Sequence, residues 1–218
     1  MKILELFSGT QSISKKFREA GHETFCIEYN ELFTKEPYNL NQLTEDILNV
    51  TSQYIIDNFG YPDVIWASPD CTSFSVAAIY KHRRQDENGL LIPISDKAIL
   101  GDKLLNKTIE LINELNPKYY FIENPRGAMR KSVPLQGYPR YTLTYCGYGD
   151  IRMKPTDIWS NHPNPKFKKA CKNGDSCHVS APRGSKTGTQ GLKGALERAV
   201  IPEKLCDHIV KICEEMEK

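Results

Sequence analysis

Three short apolar runs limit what this chain can fold into. "KILELF" (Lys2 to Phe7), "DVIWA" (Asp63 to Ala67) and "KYYFIEN" (Lys118 to Asn124) are continuous enough to be strands buried on both faces. After the first, "ISKKFREAG" sets Ile13, Phe17 and Ala20 at helical spacing and stops at Gly21. "HETFCIEYN" then predicts a second strand that ends in Glu28. This order of strand, glycine-containing turn, helix and acid-terminated strand is that of a dinucleotide-type βαβ unit. "TSQYIIDNF" reads as a helix with Thr51 near its start, and "LLNKTIELINEL" (Leu104 to Leu115) as an amphipathic helix ended by Asn116-Pro117. Strands alternating with helices predict a mainly parallel sheet covered on both faces. "RYTLTYC" and "TDIWSN" stand closer together and predict antiparallel strands, giving a mixed sheet in an α/β fold.

At 218 residues the chain suits one compact domain with an elaboration. The expected division is a main α/β domain over 1–160, a short basic Cys/Gly/Pro-rich insertion over 161–195, and a closing helix over 196–218 packed back on the domain. From Ile151 to Ala195 nine Lys or Arg face two Asp, a charge of +7, so the rest of the +2 chain carries −5. Such a segment fits a polyanionic partner, or equally a solvated lysine-rich loop. No apolar run approaches ~18 residues and no signal-peptide pattern opens the sequence, so a soluble cytoplasmic protein without a membrane partner is expected. Seven cysteines without a regular framework fit reduced thiols.

In a sheet of this type the working residues lie beyond the carboxyl ends of the strands. Glu28, Asp46 in "EDILNV", Cys71 in "SPDCTSFS" and Glu123 in "YYFIEN" all fall there. A lone cysteine is more often a small core hydrophobe. Cys71, however, follows a strand and sits among Pro69, Asp70, Thr72 and Ser73, so a loop position and a nucleophilic role are expected.

"LELFSGTQSISKKFREAGH", "EYN", "EDI", "SPDCTSFS", "FIENPRG" and "YGDIRMKPTDIW" resemble, in order, the motifs of DNA (cytosine-5)-methyltransferases, from Lys2 to about Asn161. "GDSCHVSAPRGSKTGTQGL" and "IPEKLC" look most like the compact members from phages and mobile elements. The resemblance implies a Rossmann-like S-adenosylmethionine-dependent methyltransferase fold, S-adenosylmethionine as cofactor, and cytosine in DNA as substrate, with duplex DNA and a flipped target base. It also implies a bacterial or phage-infected cell as the setting. Carbon 5 of cytosine is a poor nucleophile until a thiolate adds at carbon 6. Cys71 is the implied thiolate, and Glu123 the implied carboxyl at ring nitrogen 3. Arg152 is the implied contact to the base carbonyl, and a cation able to offset Asp70 beside the thiol. Asn124 and Arg126 are implied to hold the loop or contact substrate, together with Ser75 and Lys154. For the cofactor the resemblance implies a first turn of Phe7, Ser8, Gly9 and Thr10. Glu28 beside Tyr29 would accept both ribose hydroxyls, Asp46 and Ile47 would meet the adenine, and Pro69 would border the same site.

Three positions depart from the family pattern. Gln11 stands where a second glycine is usual, Asp70 where proline commonly precedes the cysteine, and Lys154 where many relatives have arginine. Lysine lacks the planar guanidinium fork. Cys146, Cys171, Cys177 and His178 supply enough ligands for zinc, but C-x5-C-H is not a standard zinc pattern and adjacent ligands are awkward, so no metal is expected. "APRGSKTGTQG" has the small and basic residues of a backbone-contacting loop. With about thirty residues in place of a recognition domain, sequence choice should be short, relaxed, or supplied by another chain. Two other classes fit the same residues: a catalytically impaired nucleic-acid-binding relative, and a pyrimidine methyltransferase acting on RNA or a free nucleotide.

Overall fold

The computed structural model describes residues 1–76, 78–180 and 194–215. The chain begins with β1 (Lys2–Leu6), α1 (Ser12–Glu19) and β2 (Glu23–Glu28). β3 (Gln42–Thr44), α2 (Ser52–Phe59) and β4 (Val64–Ala67) follow. A one-turn helix α3 (Ile79–His82) leads into a hairpin of β5 (Arg83–Gln85) and β6 (Leu91–Pro93). Then come α4 (Asp96–Leu115), β7 (Tyr119–Pro125), β8 (Arg140–Thr144), β9 (Pro155–Ser160), α5 (Ala195–Ala199) and α6 (Glu203–Glu215).

Seven strands form one sheet in the order β3-β2-β1-β4-β7-β9-β8. The first five are parallel, while β9 runs antiparallel to both β7 and β8, as the spacing of the two late strands predicted. Strand order reverses direction between β1 and β4, and the crevice opens at that switch point. Because side chains alternate across a strand, Leu4 and Leu6 face a core built with Ile55, Leu105 and Leu111. Ile3 faces the opposite core, with Phe17, Leu205 and Ile209. The fold is therefore the α/β sandwich that the apolar runs required.

Helix starts follow the capping rules. Thr51 Oγ1 accepts from Tyr54 N at 3.1 Å, and Ser95 Oγ from Ala98 N at 3.2 Å. That second cap starts α4 eight residues before the expected Leu104, since "DKAILGDK" continues the helical spacing of buried Ala98, Gly101 and Leu105. β3 and the β5–β6 hairpin were not expected, because three-residue strands carry no readable periodicity. Residues 161–180 form no helix or strand. α6 packs on α1, where Lys16 pairs with Glu203 and His22 Nε2 lies 3.0 Å from Glu214 Oε1. Among the described residues no helix is long and apolar enough to cross a membrane.

Candidate active site

A cleft of about 450 Å³ opens at the carboxyl ends of β1, β2, β4 and β7. Its first half is built by the turn after β1. Phe7, Gly9 and Gln11 all take left-handed backbone (φ 55°, 50° and 52°), coiling the turn tightly enough to aim Gly9 N at Glu28. Gly9 N donates to Glu28 Oε2 at 2.7 Å, while Glu28 Oε1 accepts from Tyr29 N and Asn30 N at 2.9 and 2.8 Å. A carboxylate offers about four lone-pair sites. Three are filled here, so Glu28 has about one site open, against the two that ribose hydroxyls were expected to take. Ser8, Tyr29, Asp46, Ile47 and Pro69 also line the cleft. Asp46 Oδ1 caps the following turn by accepting from Leu48 N at 3.0 Å. Thr10 is not part of the lining, its hydroxyl lying 2.8 Å from Ser12 Oγ.

Gln11, the departure from the glycine pattern, leaves the cleft clear. Its backbone adopts the conformation a glycine would take, and its side chain points to the β3 edge. There Nε2 donates to Leu40 O and Gln42 Oε1, each at 3.1 Å, and Oε1 accepts from Arg18 at 3.0 Å. Gln11 therefore does not intrude on the cleft, whose lining does not include it.

The second half of the cleft holds the thiol. Cys71 sits half-buried in a tight turn after β4, where Phe74 N and Ser75 N donate to Cys71 O at 3.1 and 2.9 Å. Two anchors fix this turn. Asn124 Nδ2 donates to Pro69 O at 2.8 Å, and Arg83 Nε donates to Ser73 O at 3.0 Å. Asn124 Oδ1 is buried without a hydrogen-bond partner among the described residues. The turn also presses on Gly127, where a Cβ would stand 2.2 Å from Phe74 O. Ser75 bridges to Gly127 through backbone rather than lining the cleft. Asp70 is exposed and accepts from the Thr72 hydroxyl at 2.8 Å. Burial, followed by the charges of Asp70 and Glu123, pushes the Cys71 thiol up to about 11, against a lowering influence from Lys154.

Glu123, 6% exposed at the end of β7, faces that thiol across the cleft. Its Oε1 accepts from Tyr145 Oη at 2.9 Å. Burial and the neighbouring Glu123 charge hold the Tyr145 hydroxyl well above its ordinary range, so it remains a neutral donor. Lys154 Nζ lies 4.0 Å from Glu123 Oε1 and 4.2 Å from the Tyr145 ring centroid. Arg152 behaves differently from expectation. It is buried outside the cleft lining, and its guanidinium forks onto Asp150, with Nε 2.9 and 3.0 Å from the two carboxylate oxygens. Burial alone would raise Asp150, but hydrogen bonds from Arg152 overcome it and hold the carboxyl low. Among the described residues the cation whose charge acts on Cys71 is Lys154, not Arg152. Arg126 is exposed, with its N–H bound to Pro155 O at 2.9 Å.

Sequence reading missed Tyr145 and the wall formed by Arg198, Ala199 and Ile201. The apolar-aromatic end of "RYTLTYC" was the only signal for the tyrosine. Arg83, which opens β5, is buried in a salt bridge with Asp102 at 2.7 Å and is unavailable to a polyanion. Lys166 and Lys169 are exposed, while Lys168 Nζ donates to Gly147 O at 2.9 Å. "APRGSKTGTQG", with Arg183 and Lys186, lies outside the described residues, as does Lys193.

Comparison with known proteins identifies relatives in sequence and in fold. The family described as C-5 cytosine-specific DNA methylase matches residues 1–133. A protein of Frog virus 3 (isolate Goorha) named "Probable DNA (cytosine-5)-methyltransferase" is 31% identical over 94% of this chain and 99% of its own length. Type II methyltransferase M.FnuDI of Fusobacterium nucleatum is 27% identical over 60% of this chain and only 34% of its own. The crystal structure of S. pombe Dnmt2 methyltransferase superposes with a TM-score of 0.50 at 17% identity, covering 73% of this chain and 49% of that one. The chain thus spans about a third of the bacterial relative and about half of the superposed structure, and the latter likeness concerns the fold.

Proposed function

Because the chain belongs to the C-5 cytosine-specific DNA methylase family, we propose that it methylates carbon 5 of cytosine in DNA through a covalent bond between Cys71 and carbon 6. The observation that carries this reading is the convergence of Cys71, Glu123, Lys154 and Glu28 on one cleft.

S-adenosylmethionine suits the first half of the cleft, and when bound it supplies the methyl group. Gly9 brings backbone close to the ligand, Glu28 keeps one lone-pair site for a ribose hydroxyl, and Phe7 and Ile47 offer apolar walls to the adenine beside Asp46. In the second half, Cys71 gives up its thiol proton to solvent and adds through Sγ to carbon 6, as ring nitrogen 3 takes a proton from Glu123 in its carboxylic acid form. The electron pair gathered at carbon 5 then forms the new carbon–methyl bond. Solvent then takes the carbon 5 proton, and the electron pair of that bond re-forms the carbon 5–carbon 6 double bond and expels Cys71 as thiolate. Ring nitrogen 3 returns its proton to Glu123, which restores aromaticity. Lys154 bears a positive charge beside the forming thiolate, and Tyr145 orients the Glu123 carboxyl. Asn124 holds the thiol turn through Pro69. A base stacked in duplex DNA cannot reach a thiol set inside such a cleft, so the target base rotates out of the helix.

The test is trapping. Duplex DNA containing 5-fluorocytosine, with cofactor present, should form a covalent complex mapped to Cys71, since fluorine blocks the elimination that releases the enzyme. Trapping at another cysteine, or undiminished trapping in Cys71→Ser, would overturn the assignment. Methyl incorporation compared across duplex DNA, single-stranded DNA, transfer RNA and dCMP separates DNA from the RNA and free-nucleotide alternatives. No incorporation into any of them would favour an impaired binding relative.

A further inference from the structure

Outside the cleft lining, three other cysteines converge. Cys146, in the turn after β8, is buried, while Cys171 and Cys177 come from the irregular segment beyond β9. Their three Sγ atoms all lie within 4.8 Å of one another, and Cys177 Sγ is 3.6 Å from Cys146 Sγ. His178 Nδ1 stands 3.5 Å from Cys177 Sγ, and its Nε2 is buried with no hydrogen-bond partner among the described residues.

We propose that Cys146, Cys171, Cys177 and His178 form a structural zinc site. The distances separate zinc from a disulfide. Two thiolates on one tetrahedral zinc, at Zn–S of about 2.3 Å, stand roughly 3.8 Å apart, whereas a disulfide requires ~2.05 Å. A thiolate and an imidazole nitrogen on the same ion stand roughly 3.5 Å apart by the same geometry. Thiolate-rich tetrahedral sets select zinc over hard cations. His178 Nδ1 reaches Cys177 alone in the structure, and rotation about its side-chain bonds would bring the ring to the fourth position. On binding, three thiols lose their protons and the ion takes three sulfurs and one nitrogen.

The segment also needs such a fastening. Residues 161–180 have no helix or strand to order them, and fixing each backbone residue costs conformational entropy. Cys171 N donates to Thr144 Oγ1 at 3.0 Å and Val179 N to Ile151 O at 2.9 Å, which brings the segment against the turn that leads to Arg152 and Lys154. Zinc at this point would pin the basic segment to the cation-bearing edge of the cleft. Spacing along the chain hides the site because Cys146 is supplied from another part of the fold, 25 residues before Cys171.

The experiment measures metal directly and does not depend on methyl transfer. Protein purified from zinc-containing medium should carry one zinc per chain, released by a mercurial titrant and detected with a chromogenic chelator. Cobalt(II) exchanged into the site should give tetrahedral d–d bands and an intense sulfur-to-cobalt charge-transfer band. Cys177→Ser, at an exposed position, should keep the circular dichroism of the fold but weaken that band and lose stoichiometric zinc. His178→Ala should retain the thiolate band with weaker metal affinity. Folded wild-type protein that binds no zinc and gives no sulfur-to-cobalt band would overturn the proposal. So would full zinc retention in the Cys146→Ser/Cys177→Ser double variant, or Cys146 and Cys177 resisting alkylation until a reductant is added.

Discussion

Lys154 Nζ stands 4.0 Å from Glu123 Oε1 with its ammonium over the Tyr145 ring, in the position beside the thiol where sequence reading expected an arginine to act. Two carboxylates, Asp70 and Glu123, oppose ionisation of Cys71, and this lysine favours it. The ligand-free thiol is therefore protonated at neutral pH, and its reactivity should climb with pH. Alkylation of Cys71 by iodoacetamide should rise about tenfold per pH unit through the neutral and mildly alkaline range, without a plateau, toward its midpoint of about 11. Lys154→Met removes the favourable charge and should slow alkylation at every pH. Peptide mass spectrometry of the labelled thiol reads both, and a plateau near pH 8 in the wild type would contradict the electrostatics.

Glu123→Gln keeps the shape of the carboxyl but removes its proton chemistry. Methyl transfer should fall by ~10²–10⁴, the usual worth of a positioned proton donor. Cofactor affinity, measured by calorimetry, should change little, because Glu28 and the turn after β1 lie in the other half of the cleft. Comparable losses in both quantities would assign Glu123 to holding the fold.

Gly127→Ala would push a methyl group to within 2.2 Å of Phe74 O, a backbone atom that cannot rotate away. The thiol turn must shift or the strand end must yield. Stability should drop by about 1–3 kcal/mol in urea titration, the range for overpacked sites, with a larger fractional loss in the rate of trapping at Cys71.

Glu5 is 1% exposed and accepts from Ser14 N at 2.8 Å, helping to cap α1 from the strand beneath it. Burial raises its carboxyl from the ordinary 4.5 to about 7. A folded value above the unfolded one means that the folded protein holds the proton more tightly. Its contribution to stability is fully present below pH 4.5 and is lost as pH rises through about 7. Glu5→Gln should flatten the fall in urea midpoint across that window.

Lys166 and Lys169 are exposed and have no ion-pair partner among the described residues. If they meet phosphates, replacing both with Ala should lower the slope of log K against log salt by about 0.9 for each phosphate that is no longer neutralised on duplex DNA. The weakening should be alike for every duplex sequence, because interactions with the nucleic-acid backbone carry no base information. Fluorescence anisotropy at several salt concentrations measures it, and an unchanged slope would make these lysines a solvated face.

Much of the site was legible because strand ends are legible. "VIWA" and "YYFIE" fix where the chain must emerge from the sheet, and Cys71 and Glu123 follow at once. Tyr145 was not, because its hydroxyl reaches Glu123 only after β8 and β9 have folded back against β7. Arg152 and Lys154 differ by two residues, and no spacing rule tells which side chain turns inward. Asp150 decides it by capturing Arg152, while Lys154 takes an uncommon backbone conformation (φ 28°) that directs its amine to Tyr145. The full reach of α4 was recoverable from Ser95 and the apolar spacing after it, whereas β3 depends on pairing with β2.

The wall formed by Arg198, Ala199 and Ile201 meets a turn that lies nearly two hundred residues earlier, with Ala199 Cβ 3.9 Å from where a side chain on Gly9 would begin and Ile201 N bound to Ser12 Oγ at 3.3 Å. A small molecule seated between those segments is a clasp on the whole polypeptide. Its occupancy and the global folding equilibrium are thermodynamically linked, so a ligand at a hundred times its dissociation constant adds about 2.7 kcal/mol to unfolding. Methyl-donor supply would then set how long each molecule survives proteolysis as well as how fast it turns over.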